Sequence, residues 1–410
     1  MNIDEVWRVL DNLKVVTIVA ASPRPGSDFF HSLLDNHTEI LTFDGWLLFH
    51  NFYEKSVSVY GTKRFAMGVD SDLDVDRLDE INIVDFFYEF AWSHLHKFNS
   101  SYDNLENKDS LGIERNQHNS TDIDVFVKNA VDIISKVPFS RRNALLAIYA
   151  SFEMSNGGSI GEKKILLHSV HLPEYIPSLL NDFPNLKIMA CVRDPRVYAT
   201  KILNYHRNMP LSKTSIGVNN AYLRLALDGV SIFNESDFRV VLLEALHSNP
   251  KKVMQEVCLW LDIKYKNSLL ESTWNGKYWF GDSLSIGIDK FFDIQRYAKD
   301  KELWAKDLSV LDLIVIESLM HLEMIIYGYY LRFKSSIWRY LSFVFILFPT
   351  RYEVKLLLTI INTKSFFNIF YLGRSMIIRY LFSYKKLFCS LFNNKNKFIV
   401  FRKYNGAQGR

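Results

Sequence analysis

Apolar positions along the chain follow two rhythms. Short runs rich in β-branched and other apolar residues occur at 15–20, 165–167, 186–192 and 239–243. Each has the length and composition of a strand buried on both faces. Between them, apolar residues recur at helical spacing: Phe29, Phe30, Leu33 and Leu34 within 28–36, Val197, Tyr198, Ile202 and Tyr205 within 195–207, and a further helical segment at 250–261. Strands alternating with helices predict an α/β fold with a parallel sheet and right-handed crossovers. Two regions interrupt this core. Residues 61–157 are long and mostly helical in pattern, with a polar, Asn/Ser/Asp-rich stretch at 99–124 expected to be a mobile loop. The second is the stretch after Arg332. The chain shows no internal repeat.

Charge separates that last stretch from the rest. The 410 residues carry a formal net charge of only +4, but 335–410 holds thirteen Lys/Arg against a single acid, Glu353. The tail is therefore +12 and the remaining body −8. Aromatics make up 15% of the chain, and the tail is rich in them. A basic, aromatic tail suits helices lying in the interface of an anionic membrane; helices packed on the core with Lys/Arg on the solvated side are the alternative. Nucleic-acid binding is not expected, since no recognition module is present. The longest strongly apolar run, 340–348, is far shorter than the ~20 residues that span a bilayer. Three scattered cysteines give no metal-ligand spacing and no disulfide framework, as in a reducing compartment. Residues 1–14 have no signal-peptide core. The expected location is cytoplasmic, peripheral on the inner membrane face.

Two segments carry candidate chemistry. Ser22-Pro23-Arg24-Pro25-Gly26-Ser27 lies between the first strand and the first following helix. Backbone N–H groups at that helix start, together with the helix dipole, favour an anion there. Arg24 adds a permanent cation able to grip phosphate or sulfate oxygens, and Gly26 permits close backbone approach. An ordinary strand–helix turn with a surface Arg is the alternative. The GxxxxGK[ST] pattern is absent from this loop, which disfavours a nucleoside triphosphatase. The second segment, Cys191-Val192-Arg193-Asp194-Pro195-Arg196, ends a buried strand and opens a helix. Two arginines at the carboxyl end of a strand stand where open α/β sheets bind ligands, and they call for an anionic partner. Surface Arg–Asp ion pairs are the alternative.

Pro23-Arg24-Pro25-Gly26-Ser27 resembles the PRSGT loop of the sulfotransferase family, whose donor is 3′-phosphoadenosine-5′-phosphosulfate (PAPS). Leu33-Leu34-Asp35-Asn36-His37-Thr38-Glu39-Ile40 resembles the family's LLDxHPxI, and Val192-Arg193-Asp194-Pro195-Arg196 its VRDPR signature. The pattern is most similar to tyrosylprotein sulfotransferases and related bacterial enzymes. Leu242-Leu243-Glu244-Ala245-Leu246, followed by Asn249-Pro250, resembles YEDL…P, and Tyr327-Gly328-Tyr329 the end of the catalytic domain. The resemblance covers about 15–330 and implies a P-loop-like parallel sheet flanked by helices, here with a helical insert and a basic, aromatic helical C-terminal tail. It divides the chain into a sulfotransferase domain at 1–334, with the insert at about 61–157, and a tail at 335–410. By it, Arg24, Pro25, Gly26 and Ser27 hold the 5′-phosphosulfate and Arg193 the 3′-phosphate. The co-substrate is PAPS, the product adenosine 3′,5′-bisphosphate, and no metal is required. Two residues depart from the family. Asp28 replaces a second Thr or Ser; it is counted with the donor-binding residues, and capping the helix start is the favoured role of its carboxylate. Lys201 stands where a Ser is expected eight residues after Arg193; Lys201 or its neighbour Thr200 is the candidate contact.

Sulfuryl transfer needs a general base for the acceptor hydroxyl. Asp44, in Thr42-Phe43-Asp44-Gly45, aligns with the catalytic Glu of tyrosylprotein sulfotransferases; an Asp-Gly turn is the alternative. His168 and His171 are further candidates, because His168 takes the place of a family Lys and His is the usual base near neutral pH. His31 and His37 are read as structural. The leading reading is sulfuryl transfer from PAPS to a hydroxyl of a glycan or lipid-linked acceptor. The competing readings are a P-loop-like kinase, which the missing Lys disfavours, and a non-catalytic, membrane-associated nucleotide-binding relative, to which Asp28 and Lys201 give support.

Overall fold

The structure is a computed structural model. It describes residues 1–20, 25–57, 82–95, 111–171, 175–207, 237–281, 290–293, 304–349, 351–362, 366–392 and 399–401. The chain is an α/β protein built on a parallel sheet flanked by helices, as its alternating pattern predicts. It divides into two compact units.

The first unit comprises Met1–Val19, Ser27–Met189 and Pro250–Phe291. β1 (Lys14–Ala20), β2 (Ile40–Leu41) and β3 (Ile165–His171) lie in the order β2-β3-β1, followed by the start of β4 (Lys187–Val192). β1 and β3 run parallel with Thr17 opposite His168, and Thr17 Oγ1 donates to the His168 carbonyl at 2.7 Å. Val15, Val16, Ile18 and Val19 are all buried, which explains why β1 reads as a continuous apolar run. The helix Ser27–Leu34 turns Phe30, Leu33 and Leu34 into the core. Pro250–Leu261 is a helix with the bounds the sequence predicts.

The described part of the insert contains three helices. Ile83–His94, Ile123–Ile134 and Arg141–Ser155 are capped by the side chains of Asn82, Asp122 and Ser140, each accepting from a backbone N–H of its first turn. The polar stretch at 99–124 departs from expectation in its described part. Leu111 and Gln117 form a β-bridge, Leu111 packs against Trp274 and Trp279, and Asn119 is buried. One Leu in a polar run supplies enough apolar surface to pin the segment.

The second unit comprises Ala20–Gly26, Ala190–Asn249 and Phe292–Arg410. It holds the end of β4, then β5 (Phe238–Leu242), and at the edge a short strand, Ile399–Phe401, parallel to β5. The helix Pro195–Arg207 again matches the sequence reading. The tail joins this unit as helices Ser336–Phe345, Arg351–Asn362 and Phe366–Phe392. Ser336–Phe345 and Phe366–Phe392 pack with Val310–Leu319, where Ser342 Oγ meets Ser318 Oγ at 2.7 Å, and Arg351–Asn362 packs on Phe366–Phe392. The compositional boundary at 334 therefore falls inside a compact unit. Among the described residues no helix is long and apolar enough to cross a membrane.

Candidate functional site

In the second unit the carboxyl end of β4 runs directly into Arg193-Asp194 and the helix Pro195–Arg207. The two arginines there have separate roles. Arg196 is buried: its Nε and Nη2 reach Asp194 at 3.0 and 2.7 Å, and its Nη1 reaches Glu317 at 2.9 Å and the Tyr330 carbonyl at 2.8 Å. Its guanidinium also lies 4.5 Å from the centre of the Trp304 ring. Burial alone would lower its pKa, but Asp194 and Glu317 raise it above its ordinary value. The anionic partners that a strand-end arginine requires are thus internal for Arg196. This excludes Arg196 as a ligand contact and makes it the clamp of the segment. Arg196→Ala is expected to destabilise the fold by about 3–5 kcal/mol, because it leaves two buried carboxylates uncompensated. A urea midpoint equal to that of the parent protein would refute the clamp.

Arg193 is only half-buried. Its charge acts on Glu244, a buried carboxyl whose pKa is raised chiefly by burial and lowered in part by the Asp194 backbone N–H and by Arg193. Glu244 accepts from Asp194 N at 2.9 Å and from Tyr329 Oη at 2.8 Å. The segments resembling YEDL and the end of the catalytic domain therefore meet behind the VRDPR turn. Seven residues past Arg193, Thr200 is buried, and its hydroxyl has no hydrogen-bond partner among the described residues. Lys201 is half-buried. Adjacent helical positions point about 100° apart, so the two residues would approach a ligand from different directions.

Arg24 lies outside the described residues. Pro25 and Gly26 are described and belong to the second unit. Gly26 has φ +87°, and a Cβ there would meet Leu243 Cδ1 at 2.5 Å. Gly26 thus sits close against Leu243, just past β5, in a left-handed conformation that favours glycine.

Ser27 and Asp28 open the helix Ser27–Leu34 in the first unit. Asp28 sits in the first turn, where the helix dipole favours a carboxylate. The LLDxH-like stretch is a structural brace. Asp35 accepts from Thr42 Oγ1, Thr273 Oγ1 and Gly276 N, each at 3.1 Å, and His37 Nε2 contacts the Lys264 carbonyl at 2.8 Å. Burial raises the Asp35 pKa against those hydrogen bonds. His31 packs edge-on against Trp274, in keeping with a structural role.

Asp44 follows β2 and precedes Gly45, which has φ +76°. The Asp44 side chain is buried and accepts from Asn119 Nδ2 at 2.8 Å, while Asn119 Oδ1 takes Lys277 Nζ at 3.0 Å. Neighbouring Phe43 packs among Phe90, Tyr149 and Phe152 of the insert helices. A turn Asp and an oriented carboxylate are thus the same residue. Neither Asn119 nor Lys277 stood out in the sequence; one polar residue in a polar stretch gives no signal.

His168 lies in the core, not at a rim. It is fully buried in β3 with Nδ1 2.9 Å from Tyr149 Oη, and burial, then His50 and His31, push its pKa well below the ordinary value. That placement argues against its contact with an acceptor. It also makes His168 a source of acid sensitivity. With the folded-state pKa depressed, its contribution is intact above the unfolded value near 6.5 and falls as pH drops below it, because the unfolded chain takes the proton first. His168→Gln is expected to flatten the fall in urea midpoint between about pH 6.5 and 5; an unchanged slope would contradict this. His171 ends β3 opposite Val19, and its side chain lies outside the described residues. Among the described residues no cluster of His, Cys, Asp and Glu could hold a metal ion.

No protein-family model and no curated sequence matches the chain. Comparison with solved structures finds the sulfotransferase domain of the Synechococcus PCC 7002 olefin synthase, with 15% identity, TM-score 0.36, and 71% of this chain and 88% of that one covered. The sulfotransferase domain from the curacin biosynthetic pathway gives 16%, 0.37, 73% and 92%. The sulfotransferase STF9 from Mycobacterium avium gives 14%, 0.31, 65% and 69%.

Proposed function

We propose that this chain transfers a sulfuryl group from PAPS to a hydroxyl of a glycan or lipid-linked acceptor. The observation that carries the reading is the arrangement at the end of β4. Arg196 is locked in an internal carboxylate cage, and the half-buried Arg193 stands at the sheet edge where α/β proteins take their ligands. The left-handed Gly26 supports the second element, in which Arg24 and Ser27 match the family's 5′-phosphosulfate grip.

In this reading Arg193 holds the 3′-phosphate, with Lys201 or Thr200 as auxiliary contact. Pro25, Gly26 and Ser27 present backbone and hydroxyl groups to the 5′-phosphosulfate, beside Arg24. Asp44, held by Asn119, takes the proton of the acceptor hydroxyl. The acceptor oxygen forms a bond to sulfur as the bond from sulfur to the bridging phosphate oxygen breaks. Adenosine 3′,5′-bisphosphate leaves with the electron pair, its charge held by Arg24. The insert, which packs around Phe43, is the natural wall of the acceptor site. Incubation with PAPS carrying labelled sulfate and a panel of glycans, peptides and lipid extracts tests the reading. Label in a glycan or lipid fraction is expected; label in peptides alone would redirect the acceptor class, and label in none would remove the enzymatic reading.

A further inference from the structure

The inner and outer faces of the tail helices differ from those of ordinary surface helices. The inner faces are already filled. Ile360 and Leu372 form a buried cluster, Ile346 and Leu387 are fully buried, and Ser342 is bonded to Ser318. A helix satisfied on one side should be polar on the other. Here the outer side is apolar as well. Along Phe366–Phe392, Phe370, Ile377, Leu381 and Phe388 are 58–69% exposed. Their spacing of 7, 4 and 7 residues places them in one stripe, about 27 Å long at 1.5 Å per residue. Arg374 and Lys385 are exposed within the same stripe, each four residues after an apolar member. Tyr340 and Val344 on Ser336–Phe345, and Leu358 and Ile361 on Arg351–Asn362, are exposed at helical spacing too.

Charge identifies the occupant. The tail's only acid, Glu353, is buried against Arg379, with Nε to Oε1 at 2.9 Å and Nη2 to Oε2 at 3.1 Å. Arg379 also donates to the carbonyls of Ile346 and Phe348. That pair removes one positive charge and the sole negative charge from the tail's surface, so every other charged side chain of 335–410 is Lys or Arg. Apolar stripes with long cations interleaved and no acid suit a bilayer interface with anionic headgroups. Phe and Leu enter the acyl boundary there, while Arg and Lys extend toward phosphate. We infer that the C-terminal helices are a docking surface for an anionic lipid bilayer, on which they lie without spanning it. The surface is independent of the sulfuryl-transfer reading, because it involves none of the residues assigned to PAPS.

The experiment uses the full chain, since removing the tail would uncover the helix Val310–Leu319. Co-sedimentation is measured with vesicles of phosphatidylcholine alone and with added phosphatidylglycerol, at low and high salt. Binding is expected on phosphatidylglycerol vesicles only, weakening as salt rises because charge attraction is screened within about 10 Å at 0.1 M. Ile377→Glu with Leu381→Glu should abolish it, and Arg374→Glu with Lys385→Glu should reduce it at least about 10-fold. Both variants change exposed positions only, and circular dichroism and the affinity for adenosine 3′,5′-bisphosphate should match the parent. Full-length protein remaining in the supernatant at low salt overturns the proposal. So does equal binding to neutral vesicles, or a dimer in solution that both double variants dissolve without any vesicle binding, which would assign the face to a second copy.

Discussion

Asp44→Asn is expected to leave PAPS affinity unchanged and lower turnover by roughly 10²–10⁴-fold, the range for a lost general base. The substitution keeps size and shape. Its carbonyl oxygen can still accept from Asn119 Nδ2, so the turn before Gly45 should hold. What disappears is the capacity to accept the hydroxyl proton. Asp44→Glu separates this role from a structural one: a longer carboxylate should restore part of the turnover while fitting the buried site less well. If Asp44→Asn turns over at the parental rate with a parental urea midpoint, Asp44 is only a turn residue. The proton then goes elsewhere.

The second large effect is selective. Arg193→Ala should weaken adenosine 3′,5′-bisphosphate by about 10- to 100-fold, corresponding to loss of a charged hydrogen bond of about 1.5–3 kcal/mol. Adenosine 5′-phosphosulfate, which lacks the 3′-phosphate, should bind the variant as it binds the parent. The control matters because Arg193 also moderates Glu244, whose carboxyl braces Asp194 and Tyr329. A merely structural Arg193 would lower both affinities equally, or shift the thermal midpoint without selectivity. Either result would remove it from the 3′-phosphate site.

The two arginines also show where sequence reading reaches its limit. The strand ending at Val192, the turn and the helix Pro195–Arg207 were legible, because a buried apolar run followed by polar turn residues and helical spacing are local signals. That Arg196 is internally neutralised was not. Its partner Glu317 lies 121 residues away, in the helix Val310–Leu319, and that pairing exists only after folding. Asp44 was legible as a candidate through the motif register, but its orientation by Asn119 came from a stretch whose composition resembled a loop. His168 shows the converse case. A histidine at a motif position suggested chemistry, while its place in the middle of β3 opposite Thr17 puts it in the core. The tail's basic and aromatic composition was plain, yet composition could not show that its one acid is buried with Arg379.

The most direct test of the account is calorimetric titration of the full-length protein with adenosine 3′,5′-bisphosphate in excess EDTA, compared with adenosine 5′-phosphate and with ATP plus Mg²⁺. It requires no knowledge of the acceptor. The account predicts saturable one-site binding without a divalent cation, at least about tenfold tighter than adenosine 5′-phosphate, in line with one charged hydrogen bond to the added phosphate. ATP·Mg²⁺ binding more tightly than adenosine 3′,5′-bisphosphate, or no binding of the bisphosphate once metal is removed, would contradict it.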